Sequence, residues 1–489
     1  MHVLRSATLA AVATLLLLPP ASAEEAAAPA TPAQPAAAQT TPAAPEPTAF
    51  QRALTAYGQG DLATATSQLE TYTAANADNA DAMGWLGFLY LKQNQAERAV
   101  TTLEKAVALK EKAGPRQEKD ADTYINLGNA LLQQNNNARA IEVLREATQL
   151  APNSSEAHIN LGLAYSRAKQ YSQAAQSYTR ATQIGTQDAS VYTSLGYALE
   201  QSGKPAEAAA AYRQGAQMDP ANATPAKNRY NLLLSQAQGH QRANRFAEAA
   251  AAFGEAGDLA SGNAKPTAYY NQGVMLSRAG RQNEAAAAYR KALAANPRYY
   301  DALVNLGFVY YRTNRAKDAV GHFRTAVHVA GSPASRALAN ANLGAALARS
   351  GDRAGAAAAW RRAAALDKND YESRSLLAGY MLDQRKTAEA IRLYREVAHI
   401  RPRSAPAMNG LGLAYQQAGS FDAAATAFKR AIALDPRYSY AHNNLGVVYE
   451  KRGQLREAMV QYRRALNVDP SMADARRNLA RFNRQRAAR

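Results

Sequence analysis

The tripeptide Asn-Leu-Gly recurs at Asn126, Asn160, Asn305, Asn342 and Asn444. Counting back seven places from each Gly frames blocks of 34 residues. Twelve blocks fit, opening at Glu46, Ala80, Ala121, Ser155, Ala189, Tyr230, Pro266, Tyr300, Ala337, Tyr371, Ala405 and Ser439. Short insertions separate some of them, at 114–120, 223–229, 264–265 and 334–336. A period of this size constrains the chain more than its length does. It describes supersecondary units that stack on their neighbours, because no single unit buries its own apolar face.

Four offsets within the block carry a physical reading. The eighth place is Gly in nine blocks and Ala in the other three. The twentieth is Ala in all twelve, from Ala65 to Ala458. Helices approach closely only where both lack bulk, so these places mark the crossing of a helix pair. Aromatic side chains at the twenty-fourth place (Tyr178, Tyr212, Phe253, Tyr289, Phe323, Trp360, Phe428, Tyr462) fill the space beside the crossing. Pro at the thirty-second (Pro152, Pro220, Pro297, Pro402, Pro436, Pro470) ends the second helix.

These linked offsets resemble the tetratricopeptide repeat (TPR) family over residues 46–472. The resemblance is weakest in the first block (Ala49, Arg52) and the sixth (Gln236, His240), where large apolar residues are usual. It implies an all-α fold: a right-handed α-solenoid superhelix of twelve helix–turn–helix repeats, with each first helix lining the concave side. Residues 473–489 carry Leu479 and Phe482 among polar residues and Ala, which suits a basic C-terminal capping helix.

The N-terminus reads as an address. His2 and Arg5 precede an apolar stretch, Leu9 to Leu18, then Pro19-Pro20 and the small-residue site Ala21-Ser22-Ala23. Residues 1–23 are therefore expected to be a secretory signal peptide. Residues 24–45 form an Ala/Pro-rich linker with nothing large to bury, expected to stay disordered. No later apolar run is long enough to span a bilayer. The expected location is the periplasm or the outer membrane of a bacterium. Export turns the net charge of +18 away from nucleic acid and toward acidic proteins or anionic envelope polymer.

No enzyme chemistry emerges. There is no cysteine, which excludes disulfides, thiolate metal sites and Cys nucleophiles. Neither a zinc-protease helix motif, a Gly-rich phosphate loop nor a nucleophile elbow is present. His158 and His442, at the fourth place, read as structural. The acidic second places (Asp81, Asp122, Glu156, Asp301, Glu372) suit the positive ends of helices. No cofactor or metal is expected. In sugar-transferase relatives of the repeat an enzyme follows the solenoid, whereas 17 residues follow it here. The sequence thus reads as a non-enzymatic binding protein, and it resembles TPR components of envelope machines for gliding motility, pilus assembly or secretion. The alternative is a binder of anionic cell-wall or exported polysaccharide, or a regulator of cell-wall enzymes.

The first-helix places 2, 6, 9 and 13 share a face. Place 6 carries Asn126, Asn160, Asn271, Asn305, Asn342 and Asn444. An amide donates and accepts, so such a row can pair with an extended backbone whatever its sequence; the resemblance to the superhelix of the O-linked N-acetylglucosamine transferase implies this use. The carboxylate clamp of chaperone-binding relatives is missing, because no block has a basic fifth place. Blocks seven to nine combine two ladders, Asn271, Asn305, Asn342 and Arg278, Arg312, Arg349. Tyr270, Val304, Phe308 and Tyr311 form an aromatic wall beside an alanine floor (Ala341, Ala345, Ala348), and the three Asn are expected to face solvent. This is the candidate groove for an acidic-flanked peptide. A second candidate is the basic tail: Arg476, Arg477, Arg481, Arg484, Arg486 and Arg489 stand against Asp474 alone. Residues 1–154 hold 11 basic and 15 acidic side chains, against 46 and 24 in residues 155–489.

Overall fold

The computed structural model describes residues 48–487. The expected signal peptide and linker lie outside the described residues, as do the side chains of Phe482, Arg486 and Arg489. The described residues form two compact units, 48–239 and 240–487, and every regular element among them is helical.

The first unit contains α1 (Ala49–Gly58), α2 (Leu62–Ala75), α3 (Ala80–Lys92), α4 (Ala96–Ala113), α5 (Ala121–Gln133), α6 (Asn137–Leu150), α7 (Ser155–Arg167), α8 (Tyr171–Ile184), α9 (Ala189–Gln201) and α10 (Pro205–Met218). The unit boundary falls inside α11 (Ala223–Arg242). The second unit continues with α12 (Phe246–Leu259), α13 (Ala264–Arg278), α14 (Gln282–Ala295), α15 (Tyr300–Arg312), α16 (Ala316–Val329), α17 (Pro333–Arg349), α18 (Arg353–Leu366), α19 (Tyr371–Asp383), α20 (Thr387–Ile400), α21 (Ala405–Gln417), α22 (Phe421–Leu434), α23 (Ser439–Lys451), α24 (Leu455–Val468) and α25 (Ala473–Ala487). Within each unit consecutive helices pack in pairs, such as α3 on α4 and α5 on α6 in the first and α13 on α14 and α17 on α18 in the second, and neighbouring pairs pack on one another, α4 on α5 and α16 on α17. First helices of successive pairs also touch, α3 on α5 and α5 on α7 in the first unit, α19 on α21 and α21 on α23 in the second.

The crossing chemistry is visible atom by atom. The twentieth-place Ala is fully buried in every block, Ala65 to Ala458, at 0 % exposure. The eighth-place Gly faces the twenty-fourth-place side chain of its own block. A Cβ at Gly307 would lie 2.8 Å from the Phe323 ring, and one at Gly162 would lie 2.7 Å from Tyr178. Leu103 and Leu144 take the same position over Gly87 and Gly128. Where the eighth place is Ala378, the corresponding Tyr394 lies instead against Gly410 of the next block, which has no Cβ to obstruct it.

A turn joins each first helix to its second, and the sequence reading missed its signal. The fifteenth residue of every block has positive φ. It is Gly in six (Gly60, Gly203, Gly280, Gly351, Gly419, Gly453) and Asn in four (Asn94, Asn135, Asn244, Asn314), with Lys169 and Arg385 in the others. Gly and Asn tolerate this left-handed conformation, so the pattern has a steric cause. Some N-termini carry a side-chain cap, as where Asn79 Oδ1 accepts from the Ala82 amide at 3.0 Å and Asp370 Oδ1 from the Ser373 amide at 2.9 Å, whereas those of α4, α8, α14 and α16 have none.

Three of the insertions are helical rather than loops. Residues 223–229, 264–265 and 334–336 extend α11, α13 and α17 toward their N-termini. Their prolines, Pro225, Pro266 and Pro333, fall near the helix starts, where a missing N–H costs little. Residues 114–120 do form a loop, closed by a short 3-10 turn. Lys110 Nζ anchors it, donating to Asp120 Oδ1 at 3.0 Å and to Asp81 Oδ1 at 2.7 Å. His442 Nε2 bonds the Pro436 carbonyl at 3.1 Å and His158 Nε2 the Pro152 carbonyl at 3.1 Å. Each ring thereby ties a first helix to the preceding loop. No helix among the described residues is long and apolar enough to cross a membrane.

Candidate peptide-binding groove

In the second unit α13, α15 and α17 carry the paired Asn and Arg ladders. Their C-terminal turns present Arg278, Arg312 and Arg349, all exposed. Each guanidinium leans on an aromatic ring. Arg278 stands 5.8 Å from the Phe246 centroid, Arg312 5.6 Å from Phe308 and Arg349 4.9 Å from Tyr311. These contacts hold the cations in a row while leaving most of their N–H donors available. Arg349 also donates to Asn314 Oδ1 at 3.3 Å, beside an open cleft of about 400 Å³ lined by Asn314, Arg315, Lys317 and Ser350.

The amides divide into two environments. Asn271 and Asn305 are half-buried, and Asn305 Nδ2 donates to the Tyr270 hydroxyl at 3.2 Å. Asn342 departs from the expectation of a solvent-facing side chain: it is 1 % exposed, and neither its Nδ2 nor its Oδ1 has a hydrogen-bond partner among the described residues. The adjacent alanines explain the burial. Ala341 and Ala346 are buried, and such small side chains let the neighbouring helices close over α17. The alanine floor is thus narrower than a recess, with only Ala345 and Ala348 half-exposed along it. Asn126 and Asn160, in the first unit, are likewise buried at 7 % and 3 %.

Tyr270 packs edge-on to Tyr299, with centroids 5.3 Å apart. Burial, reinforced by the Asp301 carboxylate, pushes its phenol far above the ordinary range. Burial also raises Asp301 itself. The face is therefore polarised. Asp301 stands at the N-terminal end of α15 and Arg312 at its C-terminal end, so the cations mark the edge suited to acidic groups.

At the C-terminal end the structure shows a ladder that the sequence reading missed. Asn478 Nδ2 donates to Asn443 Oδ1 at 3.0 Å, Asn443 Nδ2 to Asn444 Oδ1 at 3.4 Å, and Asn444 Nδ2 to Asn409 Oδ1 at 3.0 Å. This relay joins α21, α23 and α25. Asn409 and Asn443 are fifth-place residues, inspected in the sequence only for positive charge. Asn478 extends the row into the terminal helix, which docks like a first helix through Met472 and Ala475 against Ala465. Half of the basic tail is engaged, and Arg481 is the member that reaches another helix. Arg481 pairs with Glu450 at 2.8 Å, Arg476 donates to the Pro470 carbonyl at 2.6 Å, and Arg477 pairs with Asp474. Arg484 is exposed.

Models described as tetratricopeptide repeat or TPR repeat match residues 78–153, 125–189, 189–222, 234–297, 270–336, 415–453 and 439–472. No curated protein matches the chain. Among solved structures it is similar to YrrB, a TPR protein with an unusual peptide-binding site, at 18 % identity and a TM-score of 0.36 over 40 % of this chain and 98 % of that one. It is also similar to the APC/C hetero-tetramer Cut9-Hcn1, at 17 % identity and a TM-score of 0.36 over 89 % of each chain.

Proposed function

This chain belongs to the tetratricopeptide repeat family, and from that premise we propose that it is an exported, non-enzymatic scaffold that holds other proteins of a bacterial envelope. The machine it serves would be one of motility, pilus assembly or secretion. Export rests on the leader-like residues 1–23, and the scaffold role on the tetratricopeptide repeats, whose stacked helix pairs present surface to a partner.

The observation that carries the site is the row Arg278, Arg312 and Arg349 beside the amides of α13, α15 and α17. The ligand class is an extended segment flanked by acidic residues. Its backbone pairs with Asn271 and Asn305, and its carboxylates take the exposed guanidinium donors, bidentately where they lie flat. Buried Asn342 lies out of the ligand's reach and takes no part in the pairing. Phe308 and Tyr311 supply apolar contact beside the charges.

A photo-crosslinking amino acid in place of Phe308 tests the location in cells. It captures a discrete protein partner in the envelope fraction, and the same group in place of Thr325, on a second helix, does not. Capture of that partner from Thr325 but not Phe308 would place binding elsewhere, and recovery of the chain outside the envelope fraction would remove the export claim.

A further inference from the structure

The second helices of the second unit carry a cationic row unrelated to the groove. Residues 240–489 hold 39 Lys and Arg against 19 Asp and Glu. The excess is ordered. The twenty-fifth place of six successive blocks is basic: Arg290, Arg324, Arg361, Arg395, Lys429 and Arg463. They stand on α14, α16, α18, α20, α22 and α24, and all six are exposed. The twenty-sixth place adds Lys291, Arg362, Arg430 and Arg464. In the preceding six blocks the twenty-fifth place reads Glu70, Glu104, Arg145, Thr179, Arg213 and Gly254, with no such run.

Helix geometry explains where the row points. On α16 the inward contacts are Ala319, Phe323 and Ala326, each at most 1 % exposed. The next two residues turn through about 100° and 200° from Phe323, so Arg324 and its equivalents leave the buried seam and project outward. Small neighbours, Ala287, Gly321, Ala358, Ala365 and Ala433, keep the surface around the cations low.

The carboxylates of these helices are largely accounted for. Four of those near the helix starts are paired, Glu284 with Arg281, Asp318 with Arg315, Asp422 with Arg452, and Glu389 with the Arg361 of the row itself, while Glu457 in the first turn of α24 forms no ion pair among the described residues. Glu396, at a twenty-sixth place, is held by Arg374 and Arg392. Among the described residues Arg290, Arg324, Lys429 and Arg463 form no ion pair.

Tyrosine rings accompany the row at three points. Lys291 Nζ lies 5.1 Å from the Tyr269 centroid and Lys429 Nζ 5.8 Å from Tyr449, while Arg395 donates to the Tyr415 hydroxyl at 2.7 and 2.9 Å.

We propose that this outward row is a second binding site, for a linear anionic polysaccharide. The cations repeat once per block over six blocks, which suits a ligand whose charge repeats along its length. A folded acidic protein offers an irregular patch. A membrane-surface face commonly adds a contiguous apolar stripe to its charge, and on these helices the exposed large apolar side chains are the scattered Leu366, Leu455 and Val460. Carboxylates along the polymer pair with the ammonium and guanidinium groups, which the tyrosine contacts help to hold in line. The polymer site and the peptide groove are carried by different helices of the same unit.

The probe is polygalacturonate, a chain with one carboxylate per sugar, titrated into the full chain at low and high salt. The combined variant Arg290→Gln, Arg324→Gln, Lys429→Gln, Arg463→Gln changes only exposed, unpaired side chains, and circular dichroism confirms its fold. Its affinity is expected to fall about tenfold or more, the product of four exposed charge contacts worth a few-fold each, with a flatter salt dependence. The groove variant Arg278→Gln, Arg312→Gln, Arg349→Gln is expected to bind polygalacturonate as the unmodified chain does. Three results would overturn the proposal: undiminished affinity in the folded row variant, an equal loss in the groove variant, or tighter binding to single-stranded DNA or to phosphatidylglycerol vesicles than to polygalacturonate at matched charge.

Discussion

Replacing Gly307 with Ala isolates the contact that sets the crossing of α15 and α16. The added methyl would sit 2.8, 2.9 and 3.0 Å from Cε1, Cζ and Cδ1 of Phe323, where carbon atoms prefer about 3.5–4.0 Å. Phe323 is 1 % exposed, so its ring has no solvent-filled space to enter. Overpacking of this kind costs about 1–3 kcal/mol. Against it stands the better helix propensity of Ala, about 0.8–1 kcal/mol, leaving a net destabilisation of roughly 0–2 kcal/mol. Phe323→Ala alone costs about 3–5 kcal/mol. In that background the methyl at position 307 meets a cavity, and Gly307→Ala becomes stabilising by about 1 kcal/mol from propensity alone. The double-mutant coupling is therefore about 1–3 kcal/mol with a change of sign. Native-state hydrogen exchange of the α15 and α16 amides is the suitable assay, because a stacked array need not unfold in one step. An identical effect of Gly307→Ala in both backgrounds would refute the steric account.

Asn342→Ala removes a buried amide that has no hydrogen-bond partner among the described residues and adds no volume, so it is expected to leave α17 as stable as before or to stabilise it by up to about 1–3 kcal/mol; thermal denaturation reads the change, and a marked destabilisation would show that the amide is satisfied. Lys169→Gly and Arg385→Gly relieve left-handed backbone at φ 59° and 58° and are each expected to raise local stability by roughly 0.5–1 kcal/mol, the left-handed penalty less the entropy cost of Gly, measured by hydrogen exchange at the adjoining helix ends. Glu70 accepts from the Tyr90 hydroxyl at 2.8 Å and Arg98 at 2.6 Å, and these contacts, the Tyr90 bond foremost, hold its carboxyl below the usual value. Its stabilising contribution is therefore present above the ordinary pKa near 4.5 and lost as pH falls through the depressed value; Glu70→Gln is expected to flatten that part of the acid-unfolding curve of the first unit.

The crossing was legible because it uses residue types with one physical meaning. Ala at the twentieth place and Gly at the eighth leave room, and the ring at the twenty-fourth fills it. Tyr394 shows how the compensation works: Ala378 closes the usual site, and Gly410 opens another. The turn residue at the fifteenth place was equally present in the sequence, but Lys169 and Arg385 broke the Gly/Asn pattern that would have revealed it. Burial of Asn342 was not legible, since it depends on how closely neighbouring helices approach across Ala341 and Ala346. Asn409 and Asn443 form part of an amide ladder only because helices of successive blocks touch, a relation no single block contains. Charge counting found the basic half of the chain, whereas the regular row on the second helices becomes apparent once inward and outward faces are assigned.

The central claim is that the row Arg278, Arg312 and Arg349 holds an extended, acidic-flanked segment of a partner. The most direct measurement is calorimetric titration of the full chain with a peptide selected from an array of extended acidic-flanked sequences, comparing the unmodified chain with Arg278→Gln, Arg312→Gln, Arg349→Gln. These side chains are exposed, so the variant is expected to fold as the parent does. Loss of three charge-assisted contacts at about 1 kcal/mol each predicts a weakening of roughly a hundredfold. A folded variant that binds the peptide with undiminished affinity would contradict the account.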